Sequence, residues 1–216
     1  MTDATLVLIA DDHPMVRRAL AETVVEVMPV PVRVVEAGSF AEIEAVLEGQ
    51  PVDLMLLDLS IPGANGFGGL ATLRASFPAV PVIMVSANED PGVIRQAMEF
   101  GASAYLPKST PLSRIGDAIE AVLAGGVWFP EGAGEVSVAA LSPVSDFTPQ
   151  QIRVALLLAE GKLSKQIAFD LAIAEATVKA HLSQIFRKLK VQSRTQAVIA
   201  IRALGLLDPP DGTDPP

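Results

Sequence analysis

The stretch LMLLDLSIPGANG, residues 54–66, decides the fold: four consecutive apolar residues run into a carboxylate, Asp58, and then into a Pro-Gly-Ala-Asn-Gly turn. Four apolar residues in a row leave no wet face, which is the pattern of a strand in a parallel sheet covered on both sides. Aspartate is a poor strand former and costly to bury, so Asp58 requires water, a partner or a cation.

Outward from this strand, TLVLIA (5–10), VRVVEA (32–37), DLMLLD (53–58), VPVIMV (80–85) and SAYLP (103–107) also read as strands. Helical patterns lie between them, over 14–28, 39–48, 67–76, 91–100 and 111–124. Pro14 suits a first helical turn, and Ser39 with Glu42 forms a capping box. Strand and helix alternating five times predicts an α/β domain, a five-stranded parallel sheet doubly wound with helices on both faces.

Residues 125–146, GGVWFPEGAGEVSVAALSPVSD, hold four glycines and two prolines with little periodicity and read as a linker. Four closely spaced helices are predicted after it, over 149–160, 165–172, 175–190 and 194–204. Thr148, Pro149 and Gln151 supply a cap, a first-turn proline and a box partner; Ser164 is the expected cap of the second helix; Gly161 and Gly205 are stops. The tail DPPDGTDPP is proline-rich and acidic, and is expected to be disordered. The division is therefore 1–125, a linker over 126–146, an all-α domain over 147–207, and a tail over 208–216.

The 216-residue chain is half hydrophobic and lacks cysteine, which excludes a disulfide framework, a thiol nucleophile and thiolate metal sites and agrees with a reducing cytoplasm. Its apolar runs are too short to span a bilayer and its amino terminus is acidic, so neither export nor membrane insertion is expected. Charge is unevenly placed. Residues 1–127 hold 16 acids and 7 bases, whereas residues 147–207 hold 3 acids and 9 bases. An acidic front and a basic back imply two domains with different partners, the basic one suited to nucleic acid.

In a doubly wound sheet, ligands bind beyond the carboxyl ends of the strands where the strand order reverses. The predicted strands end into Asp11 and Asp12, into Asp58, into Ser86 and, past Tyr105, into Lys108, so polar groups from four strands meet on one rim. Clustered carboxylates repel unless a cation is present, and hard oxygen donors suit Mg2+ better than zinc. Such a cation would keep Asp58 ionised with one oxygen free to attack a phosphoryl group. Lys108 would neutralise a phosphoryl oxygen and the Ser86 hydroxyl would donate to another.

These residues resemble the receiver domain of two-component response regulators: Asp-Asp at 11–12, D-x-x-x-P-G at 58–63, Ser86-Ala87, and Y-L-P-K at 105–108. The resemblance implies a flavodoxin-like fold and phosphorylation of Asp58 by a histidine kinase. It further implies magnesium held by Asp11 or Asp12 with the Ser60 backbone carbonyl, reorientation of Ser86 and Tyr105 on phosphorylation, and slow loss of the phosphoryl group.

In the basic half, the helix EATVKAHLSQIFRKLK (175–190) places apolar residues at 178, 182, 185, 186 and 189, one buried stripe. Its other side presents Thr177, Lys179, Ala180, Ser183, Gln184 and Arg187, with Lys188 and Lys190 near the end. Bases that reach phosphates among small residues that permit close approach suit a major groove. A short helix and tight turn precede it, as in a helix-turn-helix. Residues 147–207 resemble the LuxR-type helix-turn-helix that follows the receiver in the NarL/FixJ group. By that resemblance Lys179, Ala180 and Ser183 face bases, while Thr177, His181, Lys188 and Arg194 lie nearer the DNA backbone. His181 reads equally well as a helix-packing residue. The chain departs from the family pattern at Gln150-Gln151, where Arg-Glu is usual, at Lys190, where glycine is usual, and at Ala174, where a hydroxyl cap is usual.

Ala197, Val198, Ile201 and Leu204 form a stripe on the last helix that either packs within the domain or joins two subunits across a twofold DNA site. The expected function is a phosphorylation-controlled, DNA-binding transcription factor acting as a homodimer. The rival is a receiver that titrates a kinase or partner while its basic helices touch DNA weakly. A metal-dependent aspartyl-phosphate hydrolase lacks any substrate-pocket signal, so no substrate-turning enzyme is expected.

Overall fold

The computed structural model describes residues 4–131, 147–204 and 206. The predicted tail over 208–216, the Gly205 stop and most of the predicted linker, 132–146, lie outside these residues.

Five strands, β1 (Thr5–Ala10), β2 (Val32–Ala37), β3 (Leu54–Asp58), β4 (Val82–Ser86) and β5 (Ala104–Pro107), alternate with α1 (Pro14–Val27), α2 (Phe40–Gly49), α3 (Phe67–Ser76), α4 (Pro91–Glu99) and α5 (Leu112–Leu123). The sheet is parallel throughout, in the order β2-β1-β3-β4-β5. The expected doubly wound, flavodoxin-like architecture is present. Every residue of β3 and β4 is buried, as their unbroken apolar runs require.

The two sheet faces form separate cores. Val7, Ile9, Leu54, Leu56, Ile83, Val85 and Leu106 pack under α1 and α5, while Leu8, Met55, Leu57, Met84 and Tyr105 pack under α2, α3 and α4. Strand order reverses between β1 and β3, since the chain first moves from β1 outward to β2 and then back across to β3. A crevice therefore opens at the carboxyl ends of β1 and β3. The turn after β3 is made by Gly63 and Gly66, both at positive φ (86° and 60°) that other residues adopt only with strain.

Four further helices follow: α6 (Pro149–Ala159), α7 (Ser164–Asp170), α8 (Glu175–Lys188) and α9 (Arg194–Ala203). Thr148 and Gln151 make the expected capping box on α6. Ser164, expected to cap α7, is instead its first residue. Leu163 takes the cap position, and the Gln166 side chain accepts the Leu163 N–H at 2.7 Å. Gln166 thus satisfies the cap residue's own N–H, a different amide from the first-turn N–H that a serine cap would accept.

Helix α8 ends at Lys188, two residues before the predicted limit, because Lys190 takes a left-handed φ of 56°. A side chain in that region costs about 1–2 kcal/mol. Lys190→Gly is therefore expected to stabilise the protein by about 1 kcal/mol, read as a higher urea midpoint with unchanged slope.

The helical domain is docked on the α/β domain through α3 and α6. Within α3 the residues from Phe67 to Leu73 are all buried. A Cβ on Gly68 would lie 2.6 Å from Leu156 Cδ2 and 2.7 Å from the Leu206 carbonyl oxygen, so only glycine permits this approach. The Gly68 N–H donates to Leu206 O at 3.1 Å, Gln96 Nε2 to Leu204 O at 2.8 Å and Asn65 Nδ2 to Glu160 Oε1 at 3.2 Å. Arg153 pairs with Glu44 across the same boundary.

Candidate phosphoacceptor site and nucleic-acid face

The four predicted strand ends meet. Asp58, the last residue of β3, is 4% exposed, and Asp11, immediately after β1, is fully buried. Lys108, just past β5, places its Nζ 2.7 Å from Asp11 Oδ2 and 3.3 Å from Asp58 Oδ1. Its backbone N–H donates to Ser86 O at 2.7 Å, which locks the ends of β4 and β5 together. Ser86 is buried and its Oγ accepts from the Asn88 N–H at 3.2 Å; Ala87 and Ser60 are exposed. Tyr105 is fully buried, and its hydroxyl donates to the Asn88 carbonyl at 2.6 Å.

Asp11 is held by accepting from the His13 N–H at 2.8 Å, while its carbonyl accepts from Arg17 Nη1 at 2.7 Å. Asp12 Oδ1 is buried and makes no hydrogen bond among the described residues; His13 Nδ1 stands 2.5 Å from it without a well-directed one. Among the described residues the metal-sized grouping consists of Asp11, Asp12 and His13, with Asp58 outside it. The Lys108 ammonium instead stands against both Asp11 and Asp58. An orphaned carboxylate oxygen beside a second buried carboxylate is a donor set that suits a hard divalent cation. His13 escaped the sequence reading, although the contiguous Asp-Asp-His run was the signal for it.

Burial pushes the Asp58 carboxyl above its usual range, and the charges of Asp11 and Asp12 add to this, while Lys108 opposes it. Burial works against the Lys108 ammonium, but the hydrogen bond to Asp11 and the charges of Asp58 and Asp11 outweigh it and raise its pKa. Burial likewise raises Tyr105. For Asp58 the folded chain holds its proton more tightly than the unfolded chain. The resulting penalty is fully present above the folded pKa and vanishes below the ordinary carboxylate value, so stability from this group rises as pH falls through that window. Without added metal, Asp58→Asn is expected to raise the melting temperature at neutral pH and to flatten that rise, as thermal scans from pH 7 to 4 would read.

On the basic domain, Val178, Leu182 and Ile185 bury one face of α8 against the domain core. Thr177, Lys179, Ala180, Ser183, Gln184 and Arg187 are exposed. The docked α/β domain thus leaves this face open. Lys179 pairs with Glu175 at 2.7 Å, and Ser183 Oγ donates to Lys179 O at 3.0 Å. His181 is half-buried with Nδ1 lacking a hydrogen bond among the described residues. Lys188 turns toward the domain, with Nζ 2.6 Å from Gln151 Oε1 and over the Phe147 ring. Arg194 is committed to the Lys162 carbonyl. Ala197 and Ile201 of the α9 stripe are buried within the domain, whereas Ile199 is 62% exposed.

Residues 7–120 match the model of the response regulator receiver domain, and residues 145–201 that of the bacterial regulatory proteins of the luxR family. The glycerol metabolism activator of Pseudomonas putida is 39% identical over 210 residues, covering 90% of this chain and 93% of that protein. The nitrate/nitrite response regulator protein NarP of Escherichia coli K12 is 33% identical over 199 residues, covering 89% and 92%. The fold of RcsB from Salmonella enterica serovar Typhimurium, solved bound to promoter rprA in the presence of phosphomimetic BeF3-, is similar at a TM-score of 0.54 and 22% identity over 93% of this chain and 99% of that one.

Proposed function

The chain belongs to the response regulators that join a receiver domain to a LuxR-family regulatory domain, and we propose that Asp58 accepts a phosphoryl group from a histidine kinase and that α8 then reads double-stranded DNA. The observation that carries this is Lys108 set between two buried carboxylates at the sheet's switch point, with the basic α8 face open on the second domain. The parts are a receiver over 1–125, a linker over 126–146 and a DNA-binding domain over 147–207.

An Asp58 oxygen attacks phosphorus; the new O–P bond replaces the N–P bond of a phosphohistidine, whose imidazole leaves neutral after taking a proton. Lys108 offsets charge on the transferred group and Ser86 Oγ donates to one of its oxygens. Asp11, Asp12, Asp58 and the Ser60 carbonyl would hold Mg2+, which when bound offsets the charge of the carboxylates and the incoming phosphate. Water later removes the phosphoryl group slowly, so the protein is a switch and not a substrate-turning enzyme.

The added charge sits next to Ser86, Tyr105 and Asn88, at the entrance to α4, and α4 touches the second domain through Gln96. A local charge at one end of that chain of contacts biases the docking at the other. Two subunits then engage a twofold site, with Ile199 of α9 among the exposed residues available to the partner. Among the described residues no helix is long and apolar enough to cross a membrane, and the proposed place of action is the cytoplasm.

The test is DNA binding by the full chain with and without a small acyl-phosphate donor, over a salt series. Binding is expected to strengthen with donor and to weaken steeply with salt. Neutralising Lys179 and Arg187 together is expected to lower affinity on all sequences and to reduce the salt slope by about 2. Unchanged binding in that variant would favour the rival, a receiver that titrates a partner with little use of DNA.

A further inference from the structure

We propose that Gln151 is a specificity-positioning residue that fixes which end of the Gln184 amide faces DNA, so that Gln184 donates to an acceptor-bearing base edge, guanine above all. This rests on the assignment of α8 as the DNA-reading helix.

Gln151 lies at the start of α6 and is 2% exposed. Its oxygen has two donors in place: the Thr148 N–H at 3.2 Å and the Lys188 ammonium at 2.6 Å. Neither donor tolerates the amide nitrogen in that position, so the orientation of Gln151 is determined by its partners. Its Nε2 must point the other way, and there it meets Gln184 Oε1 at 2.5 Å. Gln184 is exposed on α8, one turn beyond Ala180 and one turn before Lys188. With its oxygen engaged by the buried amide, its NH2 group is the end left for a ligand on this exposed face.

An outward NH2 offers donors only. In the major groove guanine presents two acceptors, N7 and O6, whereas the usual glutamine reading of adenine requires the amide oxygen and nitrogen together. A glutamate at 151, the residue usual in the resembling family, would reverse the polarity. A carboxylate accepts the same two donors but has no N–H to give, so Gln184 would have to donate inward and present its oxygen outward, toward the exocyclic amines of adenine or cytosine.

The experiment is selection from a random-sequence duplex library by the full chain with acyl-phosphate donor, comparing wild type, Gln151→Glu and Gln184→Ala. Gln151→Glu retains the helix cap and the lysine contact and is expected to fold. Wild type is expected to enrich guanine at one position of each half-site by roughly tenfold. Gln151→Glu is expected to move that position to adenine or cytosine, and Gln184→Ala to lose preference there alone. Identical selected sequences from all three proteins would overturn the inference while leaving DNA reading intact. Equal weakening of Gln184→Ala on every sequence would overturn it by making Gln184 a phosphate contact. No enrichment by wild type would sink the DNA assignment itself.

Discussion

Asp58→Ala is expected to lose phosphoryl uptake from an acyl-phosphate donor by at least roughly two orders of magnitude, because it removes the carboxylate proposed as the nucleophile. The buried neighbours Asp11 and Ser86 do not substitute. Asp11 already accepts from Lys108 and from the His13 amide, and the Ser86 hydroxyl oxygen already accepts from Asn88. Alkali- and hydroxylamine-labile phosphate on the intact protein, followed over time, is the measurement. Incorporation at the wild-type rate would remove Asp58 from its role. Lys108→Ala is expected to lower uptake less, since the acceptor remains, and to leave Asp11 and Asp58 facing each other without a cation. Its midpoint should respond to added magnesium more than that of wild type, because a divalent ion then supplies the missing charge.

Gly68→Leu is the second large effect. A side chain at 68 meets a backbone carbonyl at 2.7 Å as well as Leu156, and a backbone carbonyl cannot swing aside as a side-chain tip does. Overpacking of this kind costs about 1–3 kcal/mol. Here part of it can be relieved by separating the two domains, which gives up the Gly68–Leu206 and Gln96–Leu204 hydrogen bonds and the Glu44–Arg153 pair. The expected result is a receiver that still accepts phosphate, a larger hydrodynamic radius, and an earlier unfolding transition for the helical domain. A compact variant with a single wild-type transition would show that α3 and α6 are not the docking contact. Since the α8 face is already open in the docked state, undocking is expected to change the affinity of one subunit for a short duplex little.

Much of this was legible in residue order alone. The apolar runs at 54–57 and 82–85 could only be buried strands, and alternation with helices left the doubly wound sheet as the economical arrangement. That topology carries Asp11, Asp58, Ser86 and Lys108 to one rim whatever the loops do, because the carboxyl ends of parallel strands lie together. Period and caps likewise located α6 to α9, with the second cap misassigned by one residue, since Ser164 is itself the first helical residue and Leu163 stands at the cap. The composition of α3 was less informative. Phe-Gly-Gly-Leu-Ala-Thr-Leu carries no polar face, and the reason is a second domain seated on it, which no local pattern announces.

Residue order therefore determined the strands, the helices, the rim of acids and the basic helix, because hydrophobic period and turn chemistry act over a few neighbours. Distances between residues far apart in the chain were decided only in three dimensions: the ammonium of Lys108 standing between Asp11 and Asp58, 97 residues separating the first pair; Tyr105 closing on Asn88; Gln151 holding Gln184; and Gly68 admitting Leu156. Each depends on the angle at which packed elements cross. Side-chain volume and the direction of buried polar groups set that angle, and neither is written in the spacing of residues along the chain.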